Sequence, residues 1–293
     1  MKKLLTLLAL TVSFSMNAQV STNSTSPTGI YASAMGNGTT ASGNESTAMG
    51  YDTTASGEAS TAMGYSTTAS TQASTAMGKL TTASGDYSTA MGYSSTASGS
   101  RSTAMGQSTT ASATFSTAMG LGTTASDYSS TVIGQYNSSG SSATSANSFS
   151  TSAPAFVIGN GTASNAKSDA FKVMFNGDAT VSNDLTVSGD VVISSDARLK
   201  SNIVSLGSTL PKLLQIDGKS YEMKGKQKIG VLAQEIKEVF PELVSEDDNE
   251  MLAVNYQGLV PVLINALKEQ DKIIKTQEER LNKIEELLVN LNE

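Results

Sequence analysis

Two residues five apart, Ser195 and Lys200, are the pair in this chain most able to do covalent chemistry. The 293 residues include no histidine and no cysteine, so no imidazole can activate a nucleophile and no thiolate or imidazole metal site can form. Acid–base work falls to Lys, Tyr, Asp or Glu, and the sequence implies no metal or other cofactor. A serine hydroxyl needs a base, and a partly desolvated lysine can have its pKa lowered enough to take the proton. Five residues along a continuous helix place side chains about 140° apart. The pair therefore meets only if Ser195 lies in an extended or turn segment just before a helix starting near Asp196. On spacing alone the plainer reading is that Ser195 or Asp196 caps a helix and Lys200 is a solvated charge.

The same stretch, Ser194 to Lys200, divides two kinds of polymer. Upstream, Met35, Met49, Met63, Met77, Met91, Met105, Met119 and then Ile133 recur every 14 residues over eight copies, each followed by glycine. Such a period marks a solenoid. Each repeat holds two Thr-rich half-repeats, typified by Ser46-Thr47-Ala48-Met49-Gly50 and Thr53-Thr54-Ala55-Ser56-Gly57, which read as short strands closed by turns. Strand alternation puts Thr and Met on one face and Ser, Ala and Gly on the other, so the small face suits the thin interior of a parallel β-roll and the Met ladder faces a neighbour. Burial of Ala and Ser at ~25 cal/mol per Å² cannot by itself offset an ordering cost of ~1–2 kcal/mol per residue. A trimer or similar fibre is the expected remedy.

The block's seven charged residues, Glu45, Asp52, Glu58, Lys79, Asp86, Arg101 and Asp127, fall in turn positions and are expected to face solvent. Tyr51, Tyr65, Tyr87, Tyr93, Phe115 and Tyr128 also fall in turns, either as ordinary surface aromatics or as a strip for a glycan or protein. With Ser-Thr-Ala-Met-Gly and Ala-Ser-Gly in phase, residues 31–141 resemble the head repeats of trimeric autotransporter adhesins. That resemblance implies a left-handed parallel β-roll, trimeric, that binds a host or surface ligand. Thr and Met stand where that family's consensus has Val and Ile.

Beyond a Ser-rich spacer, Phe156–Gly161 and Phe171–Phe175 read as strands, and Val181, Leu185, Val187, Val191 and Ile193 as further short ones. So few apolar residues cannot seal a core in one copy, so an intertwined three-chain β-prism neck is expected over 142–194.

From Ser195 the composition becomes that of an α+β domain. Ser195-Asp196-x-Arg198-Leu199-Lys200, Gly230-Val231-Leu232-Ala233-Gln234-Glu235, Pro241-Glu242-Leu243-Val244 and Val254-Asn255-Tyr256 follow in that order. Together they resemble the C-terminal intramolecular chaperone of endosialidases and tail spikes, a self-cleaving serine peptidase. The resemblance implies Ser195 as nucleophile, Lys200 as general base and Ser194–Ser195 as the scissile bond; serine–lysine pairs are a known variant of triad logic. Asn255 replaces that family's Asp, a change expected to alter packing or polar contacts more than cleavage. Val260, Leu263, Leu267, Gln270, Ile274, Gln277, Leu281, Ile284, Leu288 and Leu291 then follow a 3,4 spacing, a coiled-coil seam over about 259–293.

At the other end, Lys2 and Lys3, the apolar run Leu4–Phe14 and Met16-Asn17-Ala18 read as a signal peptide over 1–18, cut between Ala18 and Gln19, with 19–30 as a short N-terminal segment. The apolar run is shorter than the ~20 residues of a membrane span, so the mature chain is expected to lack a transmembrane segment. Net charge is −7, which disfavours generic nucleic-acid binding. The expectation is a secreted homotrimeric fibre, located in the periplasm, on the cell surface or outside the cell, with a single-turnover self-cleaving tail at 195–293. The rival classes are a prophage tail fibre and a polysaccharide-degrading fibre; the latter would need paired carboxylates that 31–193 does not display.

Overall fold

The computed structural model describes residues 24–247 and 250–291. The signal segment and its Ala18–Gln19 cut lie outside the described residues. The chain divides into two units, Met1–Asp190 and Val191–Glu293.

The first unit is a parallel β-solenoid of about eight coils. Each coil gives one five-residue strand, such as Thr47–Tyr51, to an eleven-stranded sheet and one two-residue strand, such as Thr54–Ala55, to an eight-stranded sheet. Strands pair in parallel one repeat on, Met49 opposite Met63 and Gly50 opposite Gly64. The expected alternation holds for Ser, Thr, Ala and Met, but the glycine expected inside, such as Gly50, is exposed. Ala48, Ala55 and their equivalents are fully buried, as are Ser46 and Thr53, whereas Thr47 and Met49 sit half-buried on the outer face. Ser46 Oγ donates to Gly43 O at 2.6 Å, so the buried hydroxyl is satisfied locally.

The glycine after each Met is dictated by the stacking. At Gly64 φ is +125°, and a Cβ there would run into the carbonyl oxygen of Gly78 in the next coil. Only glycine allows both the torsion and the approach. Corners are made by left-handed residues seven apart, for example Asp52 and Ala59, both at φ 53°. Even Arg101 and Phe115 adopt that conformation, held by Arg101 N–H to Asp86 O (2.7 Å) and Phe115 N–H to Ser100 O (2.9 Å).

At its C-terminal end the roll is closed by side chains that imitate backbone. Asn137 Oδ1 accepts from Thr124 N–H at 2.8 Å and its Nδ2 donates to Thr124 O at 2.9 Å, replacing the next rung of the small sheet. Asp127, expected to face solvent, is instead fully buried, its Oδ1 accepting from the N–H groups of Thr144 (2.6 Å) and Ser145 (2.8 Å). It occupies the column held elsewhere by Gly57, Gly85 and Ala113, which points inward. A carboxylate fits there because the chain above it is no longer a coil but a loop with N–H groups to offer.

The larger sheet does not stop with the repeats. The strand β1 (Thr131–Gln135) pairs in parallel with β2 (Pro154–Asn160), after which β3 (Asp169–Met174) and β4 (Ala179–Val181) add antiparallel. Val181 is in a strand as expected, but residues 182–196 form none in the single chain, and Leu185, Val187, Val191 and Ile193 are exposed. These short apolar runs have no partner strand within one copy to satisfy their backbone.

The second unit holds the hairpin β5 (Lys219–Met223) and β6 (Lys226–Gly230), the hairpin β7 (Val244–Glu246) and β8 (Leu252–Val254), and the helices α1 (Leu210–Leu213), α2 (Ala233–Val239) and α3 (Leu259–Leu291). Its core is small: Ile236, Phe240 and Val262 are buried, with Val231, Leu243 and Val254 against them.

Candidate functional site

Asp196 starts a single 3-10 turn, Ala197–Leu199, by accepting the N–H of Arg198 on its carboxylate at 2.9 Å. The cap is thus Asp196 and not Ser195. Ser195 lies outside any helix or strand just before the turn, and Lys200, in extended conformation just after it, folds back across. Lys200 Nζ lies 2.7 Å from Ser195 Oγ, so the tight turn brings together two side chains that a regular helix would separate. The Arg198 guanidinium, 2.7 Å from Asp196, and the Arg198 N–H hold the Asp196 carboxyl below its usual range. That carboxylate is therefore occupied and does not take the lysine. Ser194, Ser195 and Lys200 are all exposed in the single chain.

The remaining motifs converge elsewhere in the same unit. Val231 N–H donates to the Tyr256 hydroxyl at 3.2 Å, and Gly230 leaves room for the hydroxyls of both Tyr256 and Tyr221. Asn255 accepts the Gly258 N–H on its side chain at 3.1 Å and donates its own N–H to Leu243 O at 2.8 Å. The Asn therefore serves as a cap for the turn leading into α3. Glu235 reaches Lys219 at 3.2 Å.

Helix α3 has two faces. Val262 is buried in the small core and Ala266 is buried as well, whereas Leu263, Leu267, Leu281 and Leu288 are 45, 69, 55 and 54% exposed. An apolar seam of that length left open in one copy is the signature of a helix that pairs with others.

Sequence reading missed the clamp that ties α1 to α3. Glu269 accepts from Thr209 N–H at 2.6 Å and from Ser208 Oγ at 2.7 Å, and Thr209 Oγ donates to Val262 O at 3.2 Å. No local signal marks a helix cap supplied from sixty residues away. Also missed were two ladders on the roll. Tyr51 and Tyr65 stack at 5.0 Å, Lys79 lies between Tyr65 (5.4 Å) and Tyr93 (5.7 Å), and Arg101 lies between Tyr87 (5.3 Å) and Phe115 (5.4 Å). The fourteen-residue offsets between these residues were the available signal. Neighbouring rungs contact these rings, and Tyr51, Tyr65, Tyr87, Tyr93 and Phe115 remain 43–49% exposed.

A parallel β-roll of short repeats, followed by a small α+β unit with an unpaired apolar helix, is the build of a repeat-headed fibre protein. Comparison with protein families agrees in both parts. Residues 28–53, 55–81, 83–109 and 111–137 match the YadA head domain repeat, and residues 195–245 match the chaperone of endosialidase. The chain thus joins adhesin-type head repeats to an endosialidase-type chaperone segment. No curated protein matches it. Among the described residues no helix is long and apolar enough to cross a membrane.

Proposed function

We propose that the chain is a secreted, adhesin-like homotrimeric fibre whose tail, 195–293, aligns three copies and then releases itself by cutting Ser194–Ser195. The observation that carries this reading is the 2.7 Å contact between Lys200 Nζ and Ser195 Oγ at the first residue of the chaperone match. The open seam of α3 and the exposed apolar residues of 182–196 support three-chain association at the tail and a β-prism neck. Identical fourteen-residue coils offer many slipped alignments, and a tail that associates first fixes one of them.

In this reading Ser195 Oγ attacks the Ser194 carbonyl carbon while the Lys200 amine takes the hydroxyl proton. The C–N bond breaks as that proton passes to the Ser195 nitrogen, leaving an ester between Ser194 and the Ser195 oxygen. Water then hydrolyses the ester to a Ser194 carboxylate and a Ser195 hydroxyl. A lysine acts as a base only as the free amine, a form that removal from water favours. Both groups are exposed in the single chain, so activation falls to assembly, which makes cleavage the last step.

Mass spectrometry of the expressed protein should find a fragment beginning at Ser195. Ser195→Ala should abolish it while leaving the oligomer intact in sedimentation. An unchanged fragment pattern in that variant removes the dyad from the proposal.

A further inference from the structure

We propose that the cleft beside β3 and β4, where the roll passes into antiparallel sheet, binds an anionic sugar unit of the uronate class within a polysaccharide. Its volume is about 340 Å³, at the small end of ligand pockets. Lys167, Ser168, Asp169, Phe171, Lys172 and Thr180 line it. Antiparallel pairing sets Lys172 directly opposite Thr180, so an ammonium and a hydroxyl share one side of the cleft. Lys167 arrives from the turn closed by the Ala163–Ala166 bridge. Neither lysine belongs to any of the ion pairs among the described residues.

The one carboxylate in the cleft does not compete for them. Asp169 spends Oδ1 on the Ser138 N–H at 2.9 Å and Oδ2 on the Ser139 N–H at 2.8 Å, anchoring the loop that follows β1. Ser168 Oγ donates to Asn160 Oδ1 at 2.7 Å, which orients its free lone pairs as acceptors. The Phe171 ring packs edge-on to Phe156 at 6.3 Å on the sheet face opposite Lys172 and Thr180, so Lys172 and Thr180 meet the cleft without it. Two ammonium groups suit one sugar carboxylate, and the hydroxyls of Thr180 and Ser168 suit its ring hydroxyls. An inorganic anion would use only the lysines, and a neutral sugar only the rest.

This inference rests on the fibre reading and names its ligand class, but its test is independent of cleavage, because the uncut Ser195→Ala chain carries the same cleft. Calorimetric titration of that full-length variant with oligogalacturonate and oligomannuronate should give binding that weakens as salt rises. Maltotetraose and inorganic sulfate should bind at least tenfold more weakly. Lys167→Gln with Lys172→Gln should cost at least tenfold, with an unchanged circular dichroism spectrum. Thr180→Val, at an exposed strand position, should weaken binding severalfold without touching either charge. No uronate binding, equal affinity for maltotetraose or for sulfate, or full affinity in both the double lysine variant and Thr180→Val would each overturn the proposal.

Discussion

Glu269 accepts the backbone N–H of Thr209 at 2.6 Å, so a residue on the long helix α3 caps a helix sixty residues earlier in the chain. That N–H and the Ser208 hydroxyl hold the Glu269 carboxyl below its ordinary range. A depressed folded pKa means that the clamp's contribution is full above the ordinary glutamate value near pH 4.5 and is lost as pH falls through the lower folded value. Glu269→Gln should lower the melting midpoint of the second unit at pH 7, and the gap between variant and parent should close in acid. Thermal melts across pH 2.5–7 check this; a gap that persists unchanged at the acid end would count against the clamp.

Leu281 is 55% exposed on the open seam and contributes nothing to the buried core of its own chain. Leu281→Asp should therefore leave the fold of the 195–293 unit intact and weaken association. Sedimentation equilibrium should show the oligomer dissociating at protein concentrations at least tenfold higher than for the parent. An unaltered oligomer would place the interface on another face of α3.

Asp127 is buried at the end of the roll with two N–H donors on one oxygen. Asp127→Asn removes the charge from both bonds to Oδ1 and places an NH2 at the Oδ2 position, where the buried carboxylate oxygen makes no hydrogen bond. A loss of about 1–3 kcal/mol is expected from bonds to a buried charged group. Hydrogen exchange at Thr144 and Ser145 should accelerate before that of the Ala48 coil. Uniform acceleration would mean that the loop is not a local cap.

Lys79 sits between two tyrosine rings, each contact worth about 0.5–1 kcal/mol at an exposed position. Lys79→Ala should cost about 1–2 kcal/mol in chemical denaturation, whereas Glu58→Ala, exposed and outside both ladders, should cost less than about 0.5 kcal/mol. Equal effects would show that the ladder adds nothing to the roll.

What the sequence revealed follows from repetition. Ala48 and Met49 were legible because every coil makes the same contacts with the next, so phase told their inside from outside, whereas Gly50, expected inside, is exposed. The seam of α3 was legible for the same reason. The meeting of Ser195 and Lys200 could be foreseen only as a condition on the intervening turn, and the cap at Asp196 met that condition. Contacts made once were not legible. Asp127, Asn137 and Glu269 each satisfy backbone groups at the end of an element, through partners that no periodicity indicates. Asp127 did carry a clue, since it falls in the inward column of Gly57 and Gly85.

The backbone approach at Gly64 and its equivalents gives the head the properties of a measuring rod. Each coil adds about 4.8 Å, the spacing between paired strands, and presents the coil after it with the same rim that it received. Insertion or excision of fourteen residues therefore changes the length of the roll in steps of one coil while leaving both of its ends unchanged.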